Sequence, residues 1–210
     1  MIGIVDYGMG NLLSVFNAFV YLGAEAMICK NPDQLLEVDR IVIPGVGAFK
    51  DCIDSLKREG FLDNLNQEVM ITKKPTLGIC LGMQVMAKRS FEGGMHEGLG
   101  WIDADVIKLH PSDDCKIPNI GWNEIEYNQE IPLFKGLPPK PDLYLVHSYY
   151  MKCNSQKDVV ATYEYGHKVT AAILRENIFA TQFHPEKSQD NGLRILENFI
   201  KWEPQCQKKG

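Results

Sequence analysis

Cys80 stands midway between two glycines, in Gly78-Ile79-Cys80-Leu81-Gly82, at the end of an apolar run that opens at Thr76. A strand ending at Ile79, one residue held on a sharp turn and a helix starting near Gly82 make a nucleophile elbow, in which side-chain-free neighbours let the backbone pass closely on both sides. The helix behind the turn offers unpaired N–H groups and the positive end of a dipole, and both favour a thiolate. A thiolate nucleophile needs a base and a group that aims the base. The segment Gln182-Phe183-His184-Pro185-Glu186-Lys187-Ser188 supplies both, directly after an apolar strand. In an extended His-Pro-Glu run, His184 and Glu186 project to the same side and Pro185 stiffens the backbone between them. The set reads as nucleophile, acid–base group and orienting carboxylate. His96, His110 and His167 have no such company and read as surface or packing residues.

These groups need a frame to meet in. The chain has 210 residues, 45% of them hydrophobic, which is enough for one domain with a full core and too little for two. We expect a single domain over 1–203 and a short flexible tail over 204–210. A strand at Ile2 to Val5, the Gly8-Met9-Gly10 turn and a helix from Asn11 to Leu22, with Leu12, Phe16, Phe19 and Val20 on its apolar face, open the chain. Strands follow at Ala24 to Cys29 and Arg40 to Ile43, then the Pro44-Gly45-Val46-Gly47 turn, a helix from about Phe49, helical pattern from Phe61 to Ile71 and the strand Thr76 to Ile79. Continuous apolar strands alternating with helices predict a three-layer α/β sandwich with a mostly parallel central sheet covered on both faces. Beyond Gly98 the helices disappear. Strands near Asp105 to Leu109, Asn123 to Tyr127, Leu143 to Ser148, Val159 to Glu164, Lys168 to Leu174 and Phe179 to Phe183 predict an antiparallel portion. Leu193, Leu196, Phe199 and Ile200 then mark a closing amphipathic helix.

Several function classes are disfavoured. A net charge of −5 and the lack of a lysine or arginine cluster give no electrostatic footprint for nucleic acid. Six cysteines, Cys29, Cys52, Cys80, Cys115, Cys153 and Cys206, show no C-x-x-C pairing and read as thiols in a reducing compartment. Gly8-Met9-Gly10 lacks the third glycine of a dinucleotide fingerprint and no G-K-[ST] phosphate loop occurs, so neither a nucleotide nor a metal cofactor is expected. With no long apolar run and no basic leader, the expectation is a soluble cytoplasmic protein.

The G-I-C-L-G-M-Q elbow, the later H-P-E segment and the earlier P-G-V-G-A-F turn resemble those of class I glutamine amidotransferases. The chain is most similar to the glutaminase subunits of imidazole glycerol phosphate synthase, through Asp6-Tyr7-Gly8-Met9-Gly10-Asn11, Pro118-Asn119-Ile120-Gly121-Trp122-Asn123 and Tyr144-Leu145-Val146-His147-Ser148-Tyr149-Tyr150. The resemblance implies that Cys80 attacks the side-chain amide of L-glutamine, that His184 carries the proton and that Glu186 orients the imidazole. It implies an oxyanion hole from Leu81 N–H and from the turn at Val46 and Gly47, and substrate contacts from Gly45, Gln84, Glu92, Ser148 and Tyr149. It also implies an ammonia-accepting (β/α)-barrel cyclase subunit as heterodimer partner in histidine biosynthesis, met by Asn11, Ser14, Pro118, Asn119, Trp122, Tyr144 and Lys187.

One residue departs from the pattern, because Asn119 stands where the resemblance has histidine. Similar subunits also supply ammonia for amidino sugars of surface polysaccharides, and the donor chain alone does not fix the acceptor. An independent cysteine hydrolase, such as a peptidase or γ-glutamyl hydrolase, would share the elbow and histidine without needing Gln84, Glu92 or a partner face. A binding subunit without catalysis would have no use for the three reactive groups. The glycine-rich stretch from Gly93 to Gly100 has no reading in sequence terms.

Overall fold

The computed structural model describes residues 1–110 and 116–204. Cys115, Cys206 and the expected tail beyond 204 lie outside the described residues. Strands β1 (Ile2–Val5), β2 (Ala26–Cys29), β3 (Arg40–Gly45) and β4 (Thr76–Cys80) run parallel in the order β2-β1-β3-β4. Helix α1 (Leu12–Tyr21) joins the first two strands, and α2 (Phe49–Arg58) with α3 (Phe61–Leu65) and a π-helical turn over Asn66–Ile71 joins the last two. The alternation of side chains along each strand sorts them into two cores. Ile2, Ile4, Val42, Leu77 and Ile79 pack with Val15 and Phe19 of α1. Val5, Ile41 and Ile43 pack on the other face with Phe49, Leu56 and Phe61. Because both faces are covered, the strands have no polar side to show in sequence.

The elbow is followed by a single helical turn, α4 (Leu81–Gln84). That is too short for the helix dipole expected from sequence, so the turn's contribution is its free N–H groups. Strands β5 (Ala87–Ser90), β6 (His96–Glu97) and β7 (Ile102–Lys108) come next, and the Gly93–Gly94 turn closes the β5–β6 hairpin with both glycines at positive φ, 66° and 133°. Further along the glycine-rich stretch, a Cβ on Gly98 would sit 2.2 Å from Ala87 O, and Gly100 has φ 71°. Strand β8 (Asn119–Glu124) is followed by β9 (Glu126–Tyr127), and β10 (Asp142–His147) by β11 (Tyr149–Cys153). The expected strand over Asn123 to Tyr127 is therefore split: β8 pairs with β10, whereas β9 joins the main sheet beside β12 (Val159–Glu164). The backbone likewise changes sheets at Ser148, since β11 pairs with β7.

Strands β13 (Lys168–Arg175) and β14 (Ile178–Thr181) complete the eight-stranded sheet, in which β14 lies parallel to β4 and antiparallel to β13. Helix α5 (Gln189–Lys201) buries Ile195, Leu196 and Phe199 against the α1 side. Val20, expected on the core face of α1, is 49% exposed, while Val15 and Ala18 are buried. The buried stripe is centred on Val15, Ala18 and Phe19, and Val20, about 100° further round the helix from Phe19, falls outside it.

Candidate active site

Cys80 has φ 55° and ψ −110°, a backbone conformation that side-chain-bearing residues rarely adopt. The surroundings enforce it. A Cβ on Gly82 would sit 1.8 Å from the Ile43 carbonyl oxygen, and one on Gly78 would sit 2.7 Å from Met86 Cε and 3.0 Å from Gly82 O. The two glycines around the thiol thus let α4 lie directly against β3 and β4. The sulfur is 3.9 Å from Val146 O and receives Gln182 Nε2 at 3.6 Å.

Parallel pairing of β14 with β4 brings the chain after Thr181 to the same sheet end as Cys80. The His-Pro-Glu segment is not extended as expected; Pro185–Lys187 form one 3₁₀ turn with Pro185 in its first position. Proline's fixed φ suits a helical first turn, and the turn folds the carboxylate back onto the ring. His184 Nδ1 and Glu186 Oε1 are 2.8 Å apart, with both side chains almost wholly buried. His184 Nε2, the other ring nitrogen, is buried without a hydrogen-bond partner. Burial alone would pull this imidazole down; Cys80 and Glu186 beside it outweigh burial and push it up to about 9.

A cavity of about 360 Å³ opens over these groups, within the range of small-molecule sites. Val46, Gly47 and Leu81 line it, as do Gln84, Glu92, Ser148 and Tyr149. Leu81 opens α4, so its N–H has no intrahelical partner. Gly47 has φ 100°, and Val46 before it is 40% exposed. Gly45 does not line the cavity; it is buried, and a Cβ there would be 2.8 Å from Gly82 N and from the Tyr7 hydroxyl. The reason is that the strand must pass under α4 before the turn begins. Tyr7, fully buried, donates to Pro44 O at 2.5 Å and fixes the same strand end.

Two expected substrate residues are already engaged. Glu92 Oε2 accepts from Phe49 N–H at 2.8 Å and caps α2, whose own N-cap residue Ala48 has no side-chain acceptor. Gln84 gives Nε2 to Tyr149 O at 2.8 Å and to Gln182 Oε1 at 2.9 Å, which leaves its carbonyl oxygen for a ligand. His147 and Gln182 were not singled out in sequence. Both are buried polar residues at strand ends, and polar residues inside apolar runs are the signal that marks them. Among the described residues, no group of three His, Cys, Asp or Glu side chains is placed to hold a metal ion.

On the outer surface, Trp122 is 46% exposed, stacks edge-on against Tyr144 at 5.8 Å and has Lys187 Nζ beyond, 6.0 Å from the Tyr144 ring. Pro118 and Asn11 are exposed, and Asn11 caps α1 by accepting from Ser14 N–H. Asn119 is not a surface group: only 3% of it is exposed and its Nδ2 donates to the Tyr163 hydroxyl. Strand alternation turns Ile120 and Trp122 to opposite faces from their neighbours, so Asn119 points inward where Pro118 does not.

The profile of class-I glutamine amidotransferases matches residues 3–202, and the chain belongs to that family. It is 49% identical over 201 residues to the imidazole glycerol phosphate synthase subunit HisH 1 of Campylobacter jejuni (strain RM1221), covering 96% of this chain and 100% of the relative. It is 45% identical over 205 residues to the subunit HisH of Sulfurimonas denitrificans, covering 96% of this chain and 98% of the relative. A solved glutamine amidotransferase shares the fold at TM-score 0.73 and 19% identity, covering 95% of this chain and 98% of that one. A Thermotoga maritima glutamine amidotransferase does so at TM-score 0.66 and 17% identity, covering 95% and 96%.

Proposed function

We propose that this chain, as one domain over 1–203, hydrolyses L-glutamine to glutamate and ammonia and channels the ammonia to a (β/α)-barrel cyclase subunit that makes imidazole glycerol phosphate in histidine biosynthesis. The observation that carries the reading is the buried Cys80, His184 and Glu186 array under a small cavity, in a chain whose relatives named for that synthase align over nearly their full length. Cys80, its proton already passed to His184, attacks the amide carbon as the thiolate. The C–N bond breaks as His184 returns the proton to the departing ammonia, leaving a thioester that water opens to glutamate. Glu186 holds the imidazolium through Nδ1. Leu81 N–H and the Val46–Gly47 turn receive the oxyanion, where one donor is worth ~2.7–4 kcal/mol. Gln84 offers its carbonyl and Glu92 its second oxygen to the substrate ammonium, and main-chain N–H groups at Ser148 and Tyr149 meet the carboxylate.

The partner covers the cavity mouth around Asn11, Ser14, Pro118, Trp122, Tyr144 and Lys187. An exposed tryptophan backed by an aromatic ring suits an interface anchor. Among the described residues, the free buried thiols Cys29, Cys52, Cys80 and Cys153 support a cytoplasmic setting. The test is glutamate release from glutamine by the chain alone and with candidate barrel subunits, with identification of the aminated product. An amidino sugar as product would move the chain to polysaccharide synthesis, and full activity without any partner would make it an independent hydrolase.

A further inference from the structure

A second polar side chain touches the Cys80 sulfur, and the steps above do not use it. Gln182 Nε2 lies 3.6 Å from Cys80 Sγ, and Gln182 is fully buried, with no water to turn to. A carboxamide presents either an oxygen or an NH₂ to its neighbour, and only the NH₂ assists a thiolate. Here the neighbours decide. Both hydrogens of Gln84 Nε2 are taken, by the Tyr149 carbonyl and by Gln182 Oε1. Turning Gln84 over would set its oxygen against that carbonyl. Gln182 Oε1 therefore faces Gln84, and its NH₂ faces the sulfur.

The chain of donors continues behind. The Tyr149 carbonyl also accepts from His147 Nδ1–H at 2.8 Å, so His147 Nε2 is the acceptor for the Tyr163 hydroxyl at 2.7 Å. Asn119 Nδ2 donates to that hydroxyl at 3.2 Å. Burial holds the His147 imidazole neutral, down to about 4, which keeps this tautomer in place.

We propose that Gln182 is a further catalytic residue, whose N–H donates to the Cys80 thiolate formed when the thiol proton passes to His184 and formed again when the C–S bond of the thioester breaks with its electron pair on sulfur. The inference rests on Cys80 being the nucleophile. Gln84 and His147 act behind it as positioning residues. A donor already aimed at sulfur favours the charged form at both steps and keeps the nucleophile in one place between them.

The test uses Gln182→Leu, which removes the donor, and Gln182→Glu, which keeps the size but puts an oxygen against sulfur. Three quantities are measured: thiolate absorbance at neutral pH as the difference from Cys80→Ser, the rate of Cys80 alkylation by iodoacetamide, and glutamine kinetics in the complex with the barrel subunit. The difference spectrum isolates Cys80, since the other five thiols are common to both proteins; of these, burial pushes Cys52 and Cys153 up to about 12 and Cys29 up to about 11. Alkylation and kcat should each fall about tenfold in Gln182→Leu and further in Gln182→Glu, with KM within about threefold, as loss of a hydrogen bond to a charged group predicts. Turnover from added ammonia should be unchanged. If neither variant folds, Gln84→Met, which leaves the Gln182 carboxamide free to turn over, should reduce thiolate absorbance. Wild-type alkylation and kcat in folded Gln182 variants, or an unchanged thiolate signal in Gln84→Met, overturn the proposal. A wild-type complex without glutaminase activity, or one in which Cys80→Ser retains it, refutes the functional reading instead.

Discussion

Strands β3 and β4 lie side by side, end at the same edge of the sheet and finish in glycine-flanked turns, yet the two turns are built in opposite ways. At the end of β4, Cys80 is buried in a strained conformation, with glycine positions 78 and 82 pressed so tightly that no side chain fits. At the end of β3, only Gly45 is clamped, by Tyr7 and α4. The next two residues are exposed, and the nearest atom to a Cβ on Gly47 is the mobile end of Met9. A nucleophile must not move between steps, so its strain is held by packing on all sides. A peptide that completes an oxyanion hole on demand needs freedom, and Val46–Gly47 has it. On the proposed function, one sheet edge keeps a reactive thiol fixed and leaves its transition-state donor conditional.

The sharpest way to break the contrast is to remove the fixed partner. Cys80→Ala should abolish glutamine-dependent turnover while the proposed barrel partner still uses added ammonia; glutaminase activity within a few-fold of wild type would remove the elbow from the mechanism. His184→Ala should follow, with a loss of about 10²–10⁴ in kcat or more, because the general acid–base contribution disappears. Glu186→Gln should cost less, since an amide oxygen can still accept from Nδ1, and steady-state kinetics on both variants rank the two roles.

Alanine at the two turns separates rigidity from freedom. Gly82→Ala drives its Cβ into backbone at Ile43 and should cost about 3 kcal/mol of stability or more in urea melts. Gly47→Ala, in an exposed turn at φ 100°, should cost only about 1–2 kcal/mol yet blunt stimulation by the partner. Equal destabilisation by the two would mean that both turns are clamped alike.

The smallest effect is in pH-dependent stability. Between about 9 and 6.5, folded His184 keeps a proton that the unfolded chain has lost, so its contribution is complete below about 6.5 and disappears as pH rises through about 9. His147 works the other way: it stays neutral when folded down to about 4, so stability is complete above about 6.5 and lost as pH falls towards 4. Cys80→Ala, lacking the sulfur that raises His184, should flatten the alkaline limb and leave the acid limb unchanged in melts across this range.

The parallel half of the sheet was legible in sequence because its strands are unbroken apolar runs between helices, and the elbow because Gly78, Cys80 and Gly82 have one physical explanation together. The antiparallel half was legible only in part. Ser148 and Ile125 are single residues at which the backbone changes sheets, and a one-residue break leaves no gap in a run of strand-forming residues. Ala87-Lys88-Arg89-Ser90 carries two exposed charges and no β-branched residue, so β5 gave no strand signal. Within the site, Cys80, His184 and Glu186 stood out by type, and the structure brings Cys80 and His184 to one cavity with Glu186 against His184. The NH₂ of Gln84 and the buried side of Asn119 did not stand out, because where a side chain spends its hydrogen bonds is decided by residues distant in sequence.

On the proposed function, the nucleophile is complete in this chain and the second oxyanion donor, at Val46–Gly47, is not. Steady-state glutamine hydrolysis by the isolated chain and by its complex with the proposed barrel partner and bound acceptor tests this most directly, with KM and kcat separated. Glutamine should bind the isolated chain but turn over slowly, and the complex should raise kcat far more than it lowers KM, because the missing contact exists only in the transition state. Full kcat in the isolated chain would contradict it.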